Sequence, residues 1–237
     1  MITLLIATRN AHKLGEIRAI LGPEFRCLGL DTFPGAPEVV EDSGTFEGNA
    51  VQKAVELAKW ISSSALAGSP QVPTPDFVMA DDSGLEVDAL NGAPGVQSAR
   101  FAALDTGEPG NSPTAANSAK LMRLLEGVPA DRRSARFRCV VALTPIGPRG
   151  AESASPVCSA DEFEFSTEIF HGVCEGRIGL SQQGRGGFGY DPLFYPDGYD
   201  QTFGELFEEI KNRLSHRARA LERMRQRLRG GGHQSAC

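Results

Sequence analysis

The apolar positions at the start of the chain follow first a strand pattern and then a helix pattern. Residues 3–7 form a short, partly β-branched apolar run, and the apolar positions after it recur at helical spacing. The recurring positions are Leu14, Ile17 and Leu21. Thr8 or Asn10 precedes them, and either side chain can cap a helix. The chain therefore opens with a predicted buried strand followed by an amphipathic helix.

The same alternation continues along the rest of the chain. It predicts helices at about 45–66, 115–125 and 213–229, and strands from 77 to the acidic pair at 81–82, at 137–143 and at 162–170. Clusters of Pro, Gly and Ser at 69–75 and 147–156 interrupt the pattern and predict loops. The alternation indicates an α/β fold. We expect one domain over residues 1–229, or two lobes sharing a core, followed by a flexible tail at 230–237.

Length and composition narrow the classes of function. The 237 residues, 41% hydrophobic and 23% charged, suit a globular domain, and no apolar run approaches the roughly 18 residues of a membrane span. The N-terminus lacks a basic leader and a small-residue cleavage site, so we expect a cytoplasmic enzyme or binding protein without a membrane partner. Five cysteines are scattered without zinc-type or disulfide-type spacing, which favours reduced thiols.

The charge balance points away from nucleic acid as a partner. A net charge of −6 argues against a general polyanion binder, because such binding depends on basic surface. One segment departs from this balance: residues 211–229 carry eight Lys and Arg side chains against one acid, Glu222. This run indicates either contact with nucleic acid or an acidic partner, or simply a solvated helix face.

Two adjacent carboxylates, Asp81 and Asp82, end the predicted strand that starts at 77. Side chains alternate along a strand, so one carboxylate can face the sheet while the other faces a cleft, and only one need be catalytic. Together with Glu41 or Asp42 they offer the oxygen ligands that suit Mg²⁺ bound jointly with substrate phosphates. The alternative is that the Asp-Ser-Gly sequence at 82–84 is a turn that closes a hairpin.

Two lysines have positions compatible with phosphate binding. Lys13 falls in the first turn of the first helix, where the helix dipole disfavours a cation unless an anion binds there too. A phosphate at this N-terminus would meet both the free amides and Lys13. Lys53 shares one helix face with Asn49, Gln52 and Glu56. Each lysine can instead be an ordinary exposed side chain, and the Lys53 face has the spacing of a solvated face.

A glycine cluster at 184–189 matches G-x-G-x-x-G, but Tyr190, Asp191 and Pro192 follow it where a dinucleotide-binding helix should begin. We therefore exclude a dinucleotide site. The glycines allow backbone to approach a flat ligand, with Phe188 or Tyr190 as a stacking face and Asp191 as an acceptor. The alternative is a glycine-rich turn with an aromatic residue in the core.

His216 and Arg217 lie near the N-terminal end of the last predicted helix. If that helix packs through Leu214, Ala218 and Leu221, both side chains project elsewhere and can donate hydrogen bonds to a ligand. The alternative for His216 is a surface or capping histidine.

Five sequence blocks, in order and with consistent spacing, resemble the inosine triphosphate pyrophosphatase family. They are ATRNAHKLGEI at 7–17, TFEGNAVQKA at 45–54, ADDSGLEVDALNGAPGVQSARF at 80–101, GGFGYDPLF at 186–194 and SHRARAL at 215–221. The resemblance implies an elongated mixed β-sheet with flanking helices, two lobes around a central cleft, a homodimer and dependence on Mg²⁺. It also implies a deaminated purine nucleoside triphosphate as substrate, with the monophosphate and pyrophosphate as products.

Carried over by position, the resemblance assigns roles to individual residues. The triphosphate would contact Thr8, Arg9, Asn10 and Lys13, with Lys53 also on the phosphate side. Glu41 and Asp82 would bind the metal, and Asp82 would also activate water, with Lys13 and Lys53 as its catalytic partners, Asp81 beside it and Ser83 touching substrate. The base and sugar pocket would comprise Phe188, Gly189, Tyr190, Asp191, Lys211, Ser215, His216 and Arg217.

The chain departs from the family pattern at a few places. Position 9 is Arg where the family usually has Gly, which adds bulk and charge at the phosphate loop. Gly48 stands where some members have Glu, and the 147–156 insertion and the glycine-rich tail are extra.

The residue types agree with this chemistry. Phosphoryl transfer depends on charge neutralisation and positioning, which lysines, a helix N-terminus, Mg²⁺ and one carboxylate can supply. A 6-oxo purine accepts a hydrogen bond where adenine donates one, so a pocket built around donors can reject adenine about 10⁴-fold. The alternatives are a nucleotide-sensing protein without turnover and a related pyrophosphatase acting on other nucleotides.

Overall fold

The computed structural model describes residues 1–63, 73–146 and 166–230. Its strands are β1 Ile2–Ile6, β2 Phe25–Leu28, β3 Phe77–Val87, β4 Ser134–Pro145, β5 Glu168–Ile178 and β6 Phe194–Pro196. They form one six-stranded sheet in the order β2-β1-β3-β4-β5-β6. β1 runs parallel to β2 and β3, whereas β3, β4, β5 and β6 pair antiparallel in succession. The sheet is therefore mixed, and the predicted α/β class is confirmed.

Helices flank the sheet on both faces. They are α1 Ala11–Leu21, α2 Phe46–Ser63, α3 Thr114–Leu124, α4 Glu208–Leu214 and α5 His216–Gly230. α2 packs on β3 and β4 from one side, while α1 and α5 pack together on the other side. None of the helices in the described part of the chain combines the length and apolar character that a bilayer crossing needs.

The long strand β3 joins two differently packed halves of the molecule. In its first half Val78 and Ala80 belong to the apolar cluster under α2, and Met79 belongs to the cluster under α1 and α5. From Leu85 onwards the strand contributes to a third cluster, which includes β6 and the end of β5. The acidic pair lies between the part of the strand that joins the first two clusters and the part that joins the third.

The prediction that the strand ends at the acidic pair is wrong. Ser83 and Gly84 continue the antiparallel ladder between β3 and β4, so Asp81 and Asp82 lie in the middle of an 11-residue strand. Gly84 is needed there because a Cβ atom would collide with the carbonyl oxygen of Gly95. The alternative of an Asp-Ser-Gly turn is therefore excluded.

Two other predicted elements need correction. β5 begins at Glu168 and runs to Ile178, later than the predicted strand at 162–170, of which residues 162–165 lie outside the described chain. The last predicted helix is two helices, because Ser215 between α4 and α5 has extended backbone angles (φ −65°, ψ 159°). Gly172 of β5 lets α5 pack closely, since a Cβ atom there would collide with the carbonyl of His216.

Several sequence predictions lie wholly or partly outside the described residues. The predicted loop at 147–156 and the tail from 231 onwards fall in this group, as do the end of the helix predicted at 45–66 and most of the loop predicted at 69–75. The tail was predicted from residue 230, which belongs to α5.

Candidate active site

A cavity of about 690 Å³ lies beside the acidic pair. Its wall is formed by the end of β1 and the start of α1, by segments 37–41, 96–100 and 110–117, and by the glycine cluster with the first turns of α5. Every site residue named above from the sequence lines this cavity except Ser215. The alternative metal ligand Asp42 does not line it either and accepts a hydrogen bond from Gln52 (3.3 Å).

Asp81 points into the layer of α1 and α5, where cations surround it. Its Oδ2 accepts from Nε and Nη2 of Arg217 (3.1 and 2.9 Å), and its Oδ1 lies 3.2 Å from Nζ of Lys13. Burial alone would raise the pKa of Asp81, but Lys13, Arg217 and Lys53 outweigh burial and hold the pKa well below its ordinary value. Asp81 is therefore a permanent anion whose oxygens are already engaged.

Asp82 points to the opposite face, towards α2. Its Oδ2 accepts from Nδ2 of Asn49 (3.0 Å), and its Oδ1 lies 3.7 Å from Nζ of Lys53 and accepts from the amide of Ser83 (3.1 Å). Burial raises the pKa of Asp82 above its ordinary value against the opposing attraction of Lys53 and Lys13. Of the two carboxylates, Asp82 is the one with the chemistry of a proton acceptor.

Glu41 and Asp82 converge on one ammonium group. Nζ of Lys53 lies 3.1 Å from Oε2 of Glu41 and donates to the backbone carbonyl of Asp81 (2.9 Å). Lys53 and Asn49 are thus buried, whereas Glu56 of the same predicted face is exposed, and the alternative that Lys53 is an ordinary exposed lysine is wrong.

The donor set fits a divalent cation that is shared with a ligand. Within the described ranges no group of three or more His, Cys, Asp or Glu side chains is arranged to hold a metal by itself. Glu41 and Asp82 nevertheless bracket a positive charge at the cavity wall. Mg²⁺ is commonly bound by one or two carboxylates plus substrate phosphates, so these two residues suit it.

The sequence predicted free backbone amides at the N-terminus of α1, but the structure shows these amides already hydrogen-bonded. Oδ1 of Asn10 accepts from the amides of His12 and Lys13 (2.9 and 3.2 Å), and the amide of Asn10 donates to Oγ1 of Thr8 (3.1 Å). Asn10 is therefore the helix cap, and these amides are already bonded. The cation of Lys13 and the exposed side chain of Asn10 are what this end of α1 offers to an anion.

Phe188 presents a half-buried ring at the other end of the cavity. The ring stacks on His12 with centroids 5.8 Å apart, and Nζ of Lys211 lies 4.9 Å from its centroid. Oδ2 of Asp191 accepts from the amide of Phe188 (2.7 Å) and from Lys211 (2.8 Å). Asp191 thus fixes the glycine cluster and the lysine at the same time, so its acceptor is used within the protein.

Tyr190 does not share the stacking role. It is buried, and its hydroxyl donates to the carbonyl of Ser98 (2.9 Å). Of the two predicted aromatic residues, Phe188 is therefore the one with an accessible face.

His216 is a buried neutral imidazole. Its ring stacks on Phe137 with centroids 4.8 Å apart, and its Nδ1 has no hydrogen-bond partner among the described residues. Burial, followed by the charges of Arg217 and Lys211, lowers the pKa of His216 well below its ordinary value. The alternative of a surface histidine is wrong, because His216 is a buried residue of the cavity wall.

A buried ion network joins the two ends of the cavity. Glu16 of α1 contacts both Arg217 and Lys211, the latter at 3.0 Å, while Arg217 also binds Asp81 and donates to Oγ of Ser83 (3.0 Å). Ser215 stays outside the cavity, where its Oγ accepts from the amide of Ala218 (3.2 Å) at the start of α5. Its assignment to the pocket is therefore not supported by its position.

Sequence reasoning missed two residues of the site. Glu16 looks like a polar residue on the helix opposite the apolar stripe, and Asn49 looks like part of a solvated face. Each is buried because a charged partner from a distant segment lies beside it. Only the resemblance of their sequence blocks could have marked them.

Most basic side chains of residues 211–229 have hydrogen-bond or ion-pair partners within the chain. Lys211 and Arg217 form the ion pairs above; Arg219, Arg223 and Arg225 donate to backbone carbonyls; and Arg227 and Arg229 pair with Glu168 and Glu24. Seven of the eight basic side chains thus have acceptors within the chain. The run has a structural explanation that needs no polyanion.

Comparison with known proteins adds an independent line of information. The model of the Ham1 family matches residues 4–227. The chain is 45% identical over 221 residues to a protein of Desulforamulus reducens named dITP/XTP pyrophosphatase, covering 93% of this chain and 92% of that protein. It is 45% identical over 230 residues to a protein of the same name from Geobacter sulfurreducens, covering 96% and 97%. The Ham1 protein of Staphylococcus aureus superposes with a TM-score of 0.72 at 32% identity, covering 97% and 99% of the two chains.

Proposed function

The chain belongs to the Ham1 family, and on this premise we propose that it hydrolyses dITP, ITP and XTP to the monophosphate and pyrophosphate with Mg²⁺ as cofactor. Membership agrees with the resemblance noted in the five sequence blocks. The activity follows the names of the relatives, and one structural observation carries it. The carboxylates of Glu41 and Asp82 flank the ammonium of Lys53 at the wall of a cavity whose other end holds an accessible aromatic ring.

The phosphate chain is assigned to the acidic and lysine-bearing end of the cavity. Lys13 and Lys53 line this end from helices on opposite faces of the sheet, and each forms an ion pair with a carboxylate that fixes its ammonium in place. In this proposal they contact the oxygens of the triphosphate and neutralise the negative charge that develops as the pyrophosphate leaves. Asn10 and Thr8 at the start of α1 complete this end, while the guanidinium of the neighbouring Arg9 is engaged by the backbone carbonyls of Ala36 and Pro37.

Asp82 is the proposed general base. It removes a proton from a water molecule, the oxygen of that water attacks the α-phosphorus, and the bond to the bridging oxygen breaks so that pyrophosphate leaves with the bonding electrons. The hydrogen bond from Asn49 to Oδ2 fixes the rotation of the carboxylate, and Oδ1 is the oxygen that faces Lys53. Asp81 holds Arg217 and Lys13 in position instead of reacting.

Glu41 and Asp82 are the residues that would hold Mg²⁺. When bound, the ion would withdraw charge from the phosphate oxygens and acidify the attacking water. The carboxylate of Glu41 is accessible enough to exchange its contact with Lys53 for another cation, since its side chain is 38% exposed.

The purine base is assigned to the end of the cavity that contains Phe188. Its ring can stack on a purine, and His216, Lys211 and Arg217 line the same cavity. A 6-oxo group would satisfy a donor there, whereas the 6-amino group of adenine would face donors and leave them unpaired.

Turnover assays test the proposal directly. Purified protein with Mg²⁺ is incubated with ITP, dITP, XTP, ATP or GTP, and pyrophosphate and orthophosphate are assayed separately. We expect pyrophosphate from the first three nucleotides and little product from ATP. Release of orthophosphate, or equal rates with ATP and ITP, would contradict the proposal.

We also propose that the protein is a homodimer, as the resemblance implies, and that it acts in the cytoplasm. Light scattering on the purified protein measures the molar mass against the 25.3 kDa of one chain. A monomer at micromolar concentration would contradict the first point, and localisation of a tagged chain would test the second.

A further inference from the structure

Two arginines that line the cavity differ from its other cations. The other side chains, Lys13, Lys53, Lys211 and Arg217, each form an ion pair with a carboxylate. Within the described ranges Arg9 and Arg100 form none. Nη2 of Arg9 donates to the carbonyl of Ala36 (2.8 Å) and more weakly to that of Pro37 (3.5 Å), and Nη2 of Arg100 donates to the carbonyl of Glu41 (3.3 Å).

All three acceptors belong to one segment, residues 36–41, which we call the Glu41 segment. It contains no helix or strand, and none of residues 37–41 takes part in a backbone-to-backbone hydrogen bond within the described part of the chain. Val39 packs against the apolar cluster under α2, while Val40 is 66% exposed. The segment therefore depends on side chains from other elements for its conformation.

The two arginines reach the Glu41 segment from different parts of the fold. Arg9 follows β1 and holds the start of the segment, whereas Arg100 ends the 3₁₀ turn Gly95–Arg100 and holds its last residue. Nε of Arg100 donates to Oε1 of Gln97, which fixes the guanidinium plane. Between these two points the carboxylate of Glu41 is directed at Lys53.

We propose that Arg9 and Arg100 form a two-point clamp on the Glu41 segment that positions the carboxylate of Glu41 for cation binding. Both are positioning residues, because they act through the backbone carbonyls of the segment. The inference rests on the proposed function, since that function makes Glu41 a metal ligand. Arginine suits the task because its planar fork presents several donors in fixed directions, which a lysine cannot do. A glycine at position 9 could not make this contact.

Limited proteolysis tests the clamp without substrate or metal. A glutamyl endopeptidase cuts after Glu38 and Glu41 faster when the segment leaves its native position more often, and mass spectrometry identifies these two cuts. We expect both cuts to be several-fold faster in Arg9→Ala and Arg100→Ala than in the wild type. Arg9→Lys should restore part of the protection, because the lysine ammonium can still donate to a backbone carbonyl. Circular dichroism checks that each variant is folded.

Arg18→Ala is the matched control. Arg18 is also exposed and also donates to a backbone carbonyl, that of Cys27 (3.1 Å), but it does not line the cavity. This variant should leave cleavage after Glu38 and Glu41 unchanged.

A second measurement separates positioning from binding of the triphosphate. At saturating nucleotide, the Mg²⁺ concentration for half-maximal turnover should rise about tenfold in Arg9→Ala and Arg100→Ala, because residues that orient a metal ligand change affinity by about 10- to 100-fold. Unchanged cleavage would overturn the clamp. So would a higher KM for nucleotide with an unchanged Mg²⁺ requirement, because the arginines would then act on the triphosphate. A wild type inactive on dITP and XTP would refute the proposed function, while proteolysis would still report on the clamp.

Discussion

Asp81 and Asp82 are neighbours in the chain but lie on opposite faces of β3, and their carboxyl pKa values shift in opposite directions. On the face of α1 and α5, Arg217 and Lys13 surround Asp81 and hold its pKa well below the ordinary value. On the face of α2, burial outweighs the more distant Lys53 and raises the pKa of Asp82. Both side chains are buried, so the number and distance of the cations decide the direction.

In the proposed mechanism this difference separates a structural anion, Asp81, from the reactive carboxylate, Asp82. The oxygens of Asp81 are bound by the buried Arg217 and the partly buried Lys13, and such an arrangement is costly to break on one side only. Each oxygen of the Asp82 carboxylate accepts one amide hydrogen bond, the ammonium of Lys53 lies farther away at 3.7 Å, and Asp82 lines the cavity. Two identical residue types therefore take on different tasks because a strand alternates its side chains.

The largest expected effect is that of Asp82→Asn, which should lower kcat by about 10³-fold or more, because it removes the proposed base and one metal ligand. Nucleotide binding, measured by calorimetry, should persist. The fold should survive, because a raised carboxyl pKa means that the charged form is disfavoured in the folded state. The contribution of Asp82 to stability thus falls as pH rises through its folded pKa, and a neutral side chain at pH 7 should not lower Tm.

Hydrolysis at a near-wild-type rate by Asp82→Asn would contradict the proposed division of roles between Asp81 and Asp82. The base would then have to be Asp81 or Glu41, and the raised pKa of Asp82 would have no role in turnover.

Asp81→Asn should act first on stability, lowering the free energy of unfolding by about 3 kcal/mol, because it leaves Arg217 and Lys13 without their shared anion. The folded pKa of Asp81 is depressed, so its stabilisation is present above the ordinary value of 3.8 and is lost as pH falls towards the folded value. Urea denaturation should therefore give a constant difference between wild type and variant from about pH 8 to pH 5. A variant as stable as the wild type at pH 7 would contradict the structural role.

Lys13 and Lys53 contact Asp81 and Asp82 respectively, and both belong to the proposed phosphate end of the cavity. Lys13→Ala and Lys53→Ala should each lower kcat/KM about 10²-fold for every accepted base, because each removes a donor from the same triphosphate. Lys53→Ala should have the larger effect, since Lys53 also contacts Glu41 and Asp82. Lys59→Ala, on the exposed side of α2, is the control and should be neutral. A changed ratio of ITP to ATP turnover in either variant would move that lysine to the base pocket.

Hydrophobic periodicity predicted the elements whose outer faces are polar and whose inner faces are apolar. For this reason α1 contains the predicted positions Leu14, Ile17 and Leu21, α2 begins next to its predicted start, and α3 nearly coincides with its predicted range. The same rule fails where a polar face is turned inward. Lys53 and Asn49 have the spacing of a solvated face, and only the partner Asp82, 33 residues beyond Asn49, explains their burial.

Local sequence also failed where a break depends on tertiary contacts. The Asp-Ser-Gly sequence after Asp81 has turn composition, yet it continues β3 because β4 pairs along its whole length. Ser215 separates α4 from α5 inside a sequence with good helical periodicity. The candidate site was found through the resemblance of five blocks, whereas the partnership of Glu16 with Lys211 and Arg217 requires the folded chain.

The smallest expected effect concerns the discrimination between ITP and ATP, which we assign to the end of the cavity that contains Phe188. His216→Ala should reduce the ratio of kcat/KM for ITP over ATP about tenfold, because one neutral donor to a 6-oxo group accounts for roughly 1 to 3 kcal/mol. His216 is suited to this test because it lines the cavity and its Nδ1 has no hydrogen-bond partner among the described residues that the substitution would leave unpaired. Arg217→Ala is less suitable, because Arg217 lies between Glu16 and Asp81 and its loss would disturb the anion described above. Lys13→Ala, in which the ratio should not change, is the matched comparison. An equal loss on both nucleotides in His216→Ala would assign the imidazole to packing against Phe137 instead of recognition of the base.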